Sequence, residues 1–226
     1  MDSSPVVIVL AAGAGSRFHG QGHKLTQEFG TSSVIGTTLT NAILSGLPVR
    51  VVTTAELEPH MLQWVPPDHV VRVPLPDDES EWGMGYSIAA GVRASGQAPG
   101  WLVMPGDMPL VQPSTLRAVA AALAEYPVAF AQHGGRRGHP VAFASELYSE
   151  LARLTGDTGA SRIVARYPAA AVNVGDPGVL LDLDTPDDLA ALQALHGEGG
   201  GAGTARQGAD AAVAGLSRAG RAVGRA

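Results

Sequence analysis

The sequence predicts an α/β protein with one mostly parallel β-sheet and helices on both faces of the sheet. Two observations carry this prediction. Short runs of β-branched and other aliphatic residues recur from residue 6 to residue 183, as expected for strands that are buried on both faces. Stretches with helical periodicity and recognisable capping residues lie between several of these runs. Strands that alternate with helices form an open, Rossmann-like sheet, here in a single domain.

The individual elements follow from the same patterns. The first predicted strand is the apolar run VVIVL at residues 6–10, and comparable runs follow at residues 49–53, 69–73, 101–104, 128–132 and 179–183. The first predicted helix, residues 37–45, follows a threonine cluster suited to N-capping and ends at Gly46. Further helices are predicted at residues 86–92, 113–125, 146–154, 161–167 and 185–195, the last opening with a Thr-Pro-Asp-Asp start signal.

Composition narrows the class of protein. Of the 226 residues, 45% are hydrophobic and 16% are charged, which is typical of a globular chain. The net charge of −6 argues against a nucleic-acid partner, and no apolar run approaches the roughly 18–20 residues of a membrane span. The absence of cysteine excludes disulfides and thiolate chemistry. We therefore expect a cytoplasmic protein.

The composition changes at residue 197. From there to residue 226 the chain consists mainly of Gly and Ala with scattered Arg, and it has almost no large apolar side chain. Such a segment buries too little surface to offset the entropy of ordering it. We expect residues 1–196 to form the folded domain and residues 197–226 to form a disordered tail.

A glycine-rich segment follows the first strand and leads to the only lysine of the chain. Residues 11–17 read AAGAGSR, and Lys24 comes seven residues after Arg17. Small residues directly after a buried strand let backbone N–H groups approach phosphate oxygens, and the two cations add positive charge there. The segment predicts a binding site for a nucleoside triphosphate, with an ordinary glycine-rich turn as the alternative.

Other motifs fit this segment less well. A dinucleotide-binding fingerprint, G-x-G-x-x-G, would need glycine where Phe18 stands, and the chain contains no P-loop motif, G-x-x-x-x-G-K-[ST]. His19 and His23 are four residues apart, but they lie in a glycine-rich loop with no acidic or sulfur ligand nearby. A metal site at these histidines is therefore disfavoured.

Acidic residues follow two of the predicted strands. Asp107 stands in the turn PGDMP after the strand at residues 101–104, and Asp182 and Asp184 end the apolar run at residues 179–183. The carboxyl ends of parallel strands share one edge of the sheet, so Asp107 is expected in the same crevice as the glycine-rich segment. Strand alternation would put Asp182 and Asp184 on one side. Such carboxylates suit Mg²⁺, whereas the alternatives are a local Asx-turn for Asp107 and a helix N-cap for Asp184.

A set of short motifs resembles the molybdenum-cofactor nucleotidyltransferase family. In order, the motifs are LAAGAGSRF at residues 10–18 with KL at 24–25, GMGYS at 83–87, GDMP at 106–109, GHPV at 138–141, GDTGA at 156–160 and LDLDTPDD at 181–188. The resemblance covers about residues 5–195. It implies a nucleotide-diphospho-sugar transferase-like fold and Mg²⁺-dependent transfer of a nucleotidyl group to molybdopterin. The Leu-Ala-Ala-Gly form with Ala12 resembles members that use CTP, whereas guanylyl-transferring members tend to read Leu-Ala-Gly-Gly.

The resemblance also implies roles for individual residues. Arg17, Lys24 and Asp107 would act in catalysis, and Mg²⁺ would be held by Asp107 with Asp184, or with Asp182 instead. The nucleotide CTP would contact Leu10, Ala11, Ala12, Gly13, Gly15, Ser16, Arg17, Lys24 and Ser87. The pterin substrate would contact His139, Pro140, Asp157 and Gly159, with a purely structural His139 as the alternative. A client molybdoenzyme or its chaperone would be a further partner.

Other functions stay open at this point. The same chemistry with GTP, or with another phosphorylated acceptor such as a sugar phosphate, leaves no separate mark on the sequence. A non-catalytic molybdopterin carrier is disfavoured because both acidic motifs are present. A hydrolase that uses Ser87 is disfavoured because residues 85–89 lack the second glycine of a nucleophile elbow.

Overall fold

The protein contains a seven-stranded sheet and a small two-stranded ribbon. A computed structural model describes residues 4–74, 83–157 and 159–198. The strands are β1 Val6–Ala11, β2 Glu28–Phe29, β3 Ser32–Ser33, β4 Val49–Thr53, β5 Val70–Arg72, β6 Gly100–Pro105, β7 Val128–His133, β8 Arg136–Ala144 and β9 Ala169–Asn173. The main sheet has the order β5-β4-β1-β6-β8-β7-β9, and β2 pairs with β3. All pairs in the main sheet are parallel except those that β8 makes with β6 and β7.

Helices cover both faces of the main sheet. The α-helices are α1 Val34–Leu44, α2 Glu58–Met61, α3 Met84–Ala94, α4 Pro113–Ala121, α5 Tyr148–Leu151, α6 Ser161–Arg166 and α7 Pro186–Glu198. Helices α1, α2, α4 and α7 bury their apolar side chains against one face, and α3, α5 and α6 bury theirs against the other. The predicted mostly parallel α/β sheet with helices on both faces is confirmed.

Strand β1 lies in the middle of this sheet. It pairs in parallel with β4 on one side and with β6 on the other. Val7 and Val9 pack into the apolar cluster of one face, whereas Val6 and Ile8 pack into that of the other, so burial on both faces explains the continuous apolar run. Leu10 is in register with Pro105, which places the ends of β1 and β6 side by side at the edge where the candidate site lies.

The strand predicted at residues 179–183 is wrong. This segment begins as a 3₁₀ turn at Pro177–Leu180, and Asp176 caps the turn because its Oδ1 accepts a hydrogen bond from the Gly178 amide at 3.0 Å. The chain then continues to residue 184 outside the sheet. Val179, Leu181 and Leu183 are nevertheless buried in the cluster on one face of the sheet. The alternating pattern thus reflects burial on one side without strand pairing.

Strands β8 and β9 have no counterpart in the sequence prediction. Strand β8 pairs with β6 only from Val141 onward, and residues 138–140 are in register with neither β6 nor β7. Pro140 lies in this gap, where its missing N–H breaks no ladder. Gly138 is required there because a Cβ on it would lie 2.1 Å from the carbonyl oxygen of Val179. The gap keeps this part of β8 close to the 3₁₀ turn.

The C-terminal helix is longer than predicted. Helix α7 ends at Glu198 and so includes the first two residues of the predicted tail, and residues 199–226 lie outside the described residues. Helix α2 was not predicted, whereas the other α-helices overlap the predicted segments. Within the described ranges, no helix combines the length and apolar character that a membrane crossing needs.

Candidate active site

The loop after β1 is held in shape by His23. The ring Nε2 of His23 donates to the carbonyl oxygen of Gly13 at 3.0 Å, and its Nδ1 accepts a hydrogen bond from the Leu25 amide at 3.2 Å. Both bonds are satisfied by the tautomer that carries its proton on Nε2. His23 therefore closes the glycine-rich loop. From the sequence alone, His23 is considered only as a metal ligand.

The six residues between Arg17 and Lys24 form an outward bulge. Phe18 anchors the start of the bulge in the core with 8% of its surface exposed. At the other end, the Gln27 side chain donates to the carbonyl oxygen of Gln21 at 2.6 Å. Because both ends are fixed, the bulge holds Lys24 in a defined position.

The turn that carries Asp107 is fixed by β1 and α1. The Gly106 amide donates to the carbonyl oxygen of Leu10 at 2.8 Å. Thr38 of α1 donates through Oγ1 to the carbonyl oxygen of Gly106 at 3.0 Å, and the Asn41 side chain donates to the carbonyl oxygen of Pro109 at 2.9 Å. Asp107 thus stands beside the glycine-rich loop, as the sequence predicts.

Asp184 is not the N-cap of α7, because Thr185 has that role. The Asp188 amide donates to Thr185 Oγ1 at 3.2 Å, and Asp188 Oδ2 accepts from the Thr185 amide at 2.7 Å, which together form a capping box. The Leu183 amide donates to the carbonyl oxygen of Asp107 at 3.1 Å and so ties the segment to the turn after β6. The carboxylate of Asp184 is left to make side-chain contacts in the crevice.

Lys24 lies between the two acids. Its Nζ donates to Asp107 Oδ2 at 2.6 Å, to Asp184 Oδ1 at 3.1 Å and to the carbonyl oxygen of Leu183 at 2.9 Å. Arg17 reaches the other oxygen of Asp184, with Nη1 2.6 Å from Oδ2. The structure therefore brings four predicted site residues into one cluster of two cations and two carboxylates.

The electrostatics of this cluster favour the charged forms. Burial by itself would lower the pKa of Lys24, but the charges and hydrogen bonds of Asp107 and Asp184 outweigh it and raise the pKa above its usual value. Lys24 is therefore an ammonium ion at neutral pH. The second oxygen of Asp107, Oδ1, is buried and has no hydrogen-bond partner among the described residues. A buried carboxylate oxygen without a partner is costly, which marks Oδ1 as a position for a further cation or donor.

Two cavities meet at this cluster. The larger, of about 480 Å³, extends from the glycine-rich loop to the start of α3, and the smaller, of about 300 Å³, extends toward β8 and the 3₁₀ turn. They share five lining residues: Arg17, Met84, Pro105, Asp107 and Asp184. The cluster of acids and cations thus forms part of the wall between them.

Most of the predicted nucleotide contacts line the larger cavity. These are Leu10, Ala12, Gly13, Gly15, Ser16, Arg17, Lys24 and Ser87. Ala11 is the exception, since its side chain is 1% exposed and packs into the core. The hydroxyl of Ser87 donates to the carbonyl oxygen of Gly83, at 3.3 Å.

The residues assigned to the pterin do not share one cavity. His139 lines the smaller cavity, whereas Asp157 lines the larger one. Gly159 lies beside Met84, and Pro140 is buried. Asp157 packs so closely on Gly83 that a Cβ there would lie 2.4 Å from its Oδ1, and Gly83 has a φ of 152°, which also favours glycine.

The smaller cavity also contains residues that sequence reasoning missed. Arg136 and Arg137 line it from β8, next to the GHPV motif, and Asp182 lines it from the opposite segment. Partial desolvation and the charges of Asp107 and Asp184 raise the pKa of Asp182. The adjacent arginines were a visible signal, but they lie in a stretch for which the sequence predicted no element.

His139 is neutral at physiological pH. Burial lowers its pKa to about 4, and Arg137 adds to this effect although Asp107 opposes it. Between pH 6.5 and pH 4 the unfolded chain therefore takes up a proton that the folded chain does not.

We expect the free energy of unfolding to fall as the pH decreases through this range, by an amount on the order of 2 kcal/mol attributable to His139. Urea unfolding of the wild type and of His139→Gln at pH 7, 6, 5 and 4 would measure the difference. The variant should lose this part of the pH dependence, and parallel curves for the two proteins would contradict the assignment.

The comparison with protein families gives a match over most of the chain. The family model described as a MobA-like NTP transferase domain matches residues 7–172. No curated protein matches the chain.

Several solved structures are similar to this one. Rv0371c from Mycobacterium tuberculosis H37Rv is 28% identical, with 86% of this chain and 99% of that chain covered and a TM-score of 0.71. Its complex with manganese gives 28% identity, coverage of 84% and 98%, and a TM-score of 0.67.

Two more distant structures share the fold. Molybdopterin-guanine dinucleotide biosynthesis protein A from Archaeoglobus fulgidus is 19% identical, with 85% and 99% of the two chains covered and a TM-score of 0.64. The 4-diphosphocytidyl-2C-methyl-D-erythritol synthase from Anaerococcus prevotii DSM 20548 is 16% identical, with 87% and 100% covered and a TM-score of 0.67. The nucleotide-diphospho-sugar transferase-like fold is thereby confirmed.

Proposed function

Because the chain belongs to the MobA-like NTP transferase family, we propose that it is a CTP:molybdopterin cytidylyltransferase. The observation that carries the proposal is that Asp107 and Asp184 line two adjoining cavities and that Lys24, which lines the larger one, is bound to both acids. A nucleotidyltransferase needs one site for the nucleotide and one for the acceptor, with the charged groups at their junction. The larger cavity would take CTP and the smaller one the phosphorylated end of molybdopterin.

The reaction requires no protein nucleophile. A phosphate oxygen of the acceptor attacks the α-phosphorus of CTP, the bond to the β-phosphate oxygen breaks, and pyrophosphate leaves with its electron pair. Positioning and charge neutralisation then supply the catalysis. Lys24 and Arg17 are the cations at the junction, and the small residues of the glycine-rich loop let the triphosphate approach the backbone.

Asp107 and Asp184 are suited to hold a divalent cation. The Oδ1 of Asp107, which has no hydrogen-bond partner among the described residues, is a hard oxygen ligand. The carboxylate of Asp184 contacts the same Lys24 ammonium group as Asp107. Mg²⁺ is usually bound by one or two carboxylates and completed by substrate phosphates and water, so two acids at this position are sufficient. When bound, Mg²⁺ would neutralise charge on the α-phosphate and on the leaving pyrophosphate. The manganese complex of Rv0371c supports a divalent cation in this family.

Ala12 supports CTP as the nucleotide. It lines the larger cavity while being 2% exposed and packed in an apolar cluster, so the support comes from the sequence form Leu-Ala-Ala-Gly. Guanylyl-transferring members of the family tend to read Leu-Ala-Gly-Gly, with glycine at this position. The names of the two distant structures refer to guanine and to a cytidyl group, which shows that this fold is used with either base.

The test is pyrophosphate release by the purified protein with Mg²⁺. We expect release with CTP and molybdopterin together, and much less with GTP, with a sugar 1-phosphate as acceptor, or without an acceptor. Faster turnover with GTP or with another acceptor would replace the proposed substrate while retaining the family chemistry. No release with any nucleotide and acceptor pair would contradict the enzymatic proposal.

A further inference from the structure

On the wall of the smaller cavity that carries the acids, the negative charges outnumber the positive ones. Three carboxylates line it, those of Asp107, Asp182 and Asp184, and Arg17 also lines it while Lys24 is bound to two of the acids. Before a metal ion is bound, these groups alone leave an excess of one negative charge. A phosphate monoester carries a charge of about −1.5 to −2 at neutral pH, so it would be repelled by this side of the cavity.

The opposite wall supplies the missing positive charge. Arg136 and Arg137 both line the smaller cavity from β8, and neither forms an ion pair in the part of the chain that the structure describes. The other two cations of the site, Lys24 and Arg17, are already bound to carboxylates. With the two arginines included, the balance changes to an excess of one positive charge.

Arg137 is held in place by an aromatic ring. Its guanidinium carbon lies 5.4 Å from the centre of the Phe130 ring on the adjacent strand β7. Stacking of this kind orients the planar group and leaves its N–H edge available. Arg137 and His139 are two residues apart on β8, and both line the cavity. An oriented guanidinium beside a neutral imidazole forms a site for an oxyanion with two acceptor oxygens.

We propose that Arg137, assisted by Arg136, binds the phosphate monoester of the acceptor and so selects acceptors that end in a phosphate. The inference rests on the proposed function, since it names the group that the second cavity recognises. The arginines hold the nonattacking oxygens of the acceptor phosphate and offset the repulsion from the three acids. The remaining oxygen faces the junction where the α-phosphate of CTP would lie.

Steady-state kinetics of Arg137→Gln and of the double variant Arg136→Gln/Arg137→Gln test this role. We expect the KM for the acceptor to rise about 10- to 100-fold in Arg137→Gln, because charge-assisted hydrogen bonds to the acceptor are lost. The dissociation constant of CTP, measured by calorimetry, should stay within about twofold of the wild type. Arg117→Gln, which removes an exposed arginine of α4, is the matched control and should leave both quantities unchanged. An unchanged acceptor KM in the double variant would overturn the inference.

A binding experiment separates this inference from the transfer reaction. With the larger cavity filled by α,β-methylene CTP and Mg²⁺, we would titrate inorganic phosphate and follow it by ³¹P NMR. Phosphate should bind to the wild type and to Arg117→Gln, and at least 10-fold more weakly to the double variant. Equal binding by all three proteins would overturn the inference even if transfer occurs. A wild type that binds phosphate in this way but releases no pyrophosphate would contradict the proposed function and not the phosphate site.

Discussion

Replacing Lys24 by alanine is expected to lower kcat/KM for nucleotidyl transfer by about 10³-fold. The Lys24 ammonium is 14% exposed at the side chain and touches Asp107, Asp184 and the carbonyl oxygen of Leu183, so no other cation can take its place without moving. Its loss removes a preorganised positive charge at the point where the triphosphate and the acids meet. Initial rates of pyrophosphate release as a function of CTP concentration, at a saturating concentration of acceptor, would measure the change.

The stability of Lys24→Ala separates a catalytic role from a purely structural one. Without the ammonium, Asp107 loses its ion-pair partner, and Asp184 keeps only its contact with Arg17. We therefore expect the free energy of unfolding to fall by about 1–2 kcal/mol. A folded variant with this modest loss and no transfer supports the role. A variant that keeps a tenth or more of the wild-type rate would contradict it. Arg50→Ala, near the start of β4 and therefore away from the strand ends that carry the site, is a control that should retain full activity.

The parts of the site that the sequence predicts share one physical origin. The run VVIVL must be buried on both faces, so β1 is central, and in a parallel sheet the loops after β1 and β6 then meet at one edge. Arg17, Lys24 and Asp107 follow from that argument. The direct contact of Lys24 with the two acids is not predictable from local sequence patterns. Asp107 and Asp184 lie 83 and 160 positions away from Lys24 along the chain.

The errors of the sequence prediction also have physical causes. Residues 179–183 alternate like a strand because a segment that crosses the surface of the sheet buries every second side chain. Strand β8 was missed because Arg136, Arg137, Gly138 and Pro140 are poor strand formers, and the chain departs from regular pairing at residues 138–140. The basic wall of the smaller cavity was therefore missed together with the strand that carries it.

The grouping of His139 with Asp157 illustrates a different limit. Motif order along the chain assigns both to the acceptor, but β8 places His139 at the smaller cavity and the contact with Gly83 places Asp157 at the larger one. The cavity that each residue lines depends on how distant segments pack at the edge of the sheet. Local sequence patterns do not determine this packing. Their roles are thus to be tested cavity by cavity.

Asp107→Asn is expected to have the second large effect, a fall in transfer of about 10³-fold together with weaker divalent-cation binding. The amide keeps the shape of the side chain but loses the charge that Oδ2 presents to Lys24 and that the partnerless Oδ1 would present to a metal. Mn²⁺ binding in the presence of CTP, followed by electron paramagnetic resonance, should weaken at least 10-fold. Stability should fall by about 1 kcal/mol, because the variant loses one ion pair while its amide oxygen can still accept a hydrogen bond from Lys24.

Asp176→Asn provides the matched control for Asp107→Asn, because Asp176 is a buried carboxylate with a structural task. It is 3% exposed and accepts hydrogen bonds from the Gln112 amide at 2.9 Å, Thr115 Oγ1 at 2.6 Å and the Gly178 amide at 3.0 Å. An amide there turns an NH₂ group toward one of these donors, so the free energy of unfolding should fall by about 2 kcal/mol while the affinity for Mn²⁺ is retained. Asp107→Asn is thus expected to lose metal binding and transfer, whereas Asp176→Asn is expected to lose stability. If Asp107→Asn binds Mn²⁺ as tightly as the wild type, the metal must be held elsewhere, and Asp182 at the smaller cavity becomes the residue to replace next.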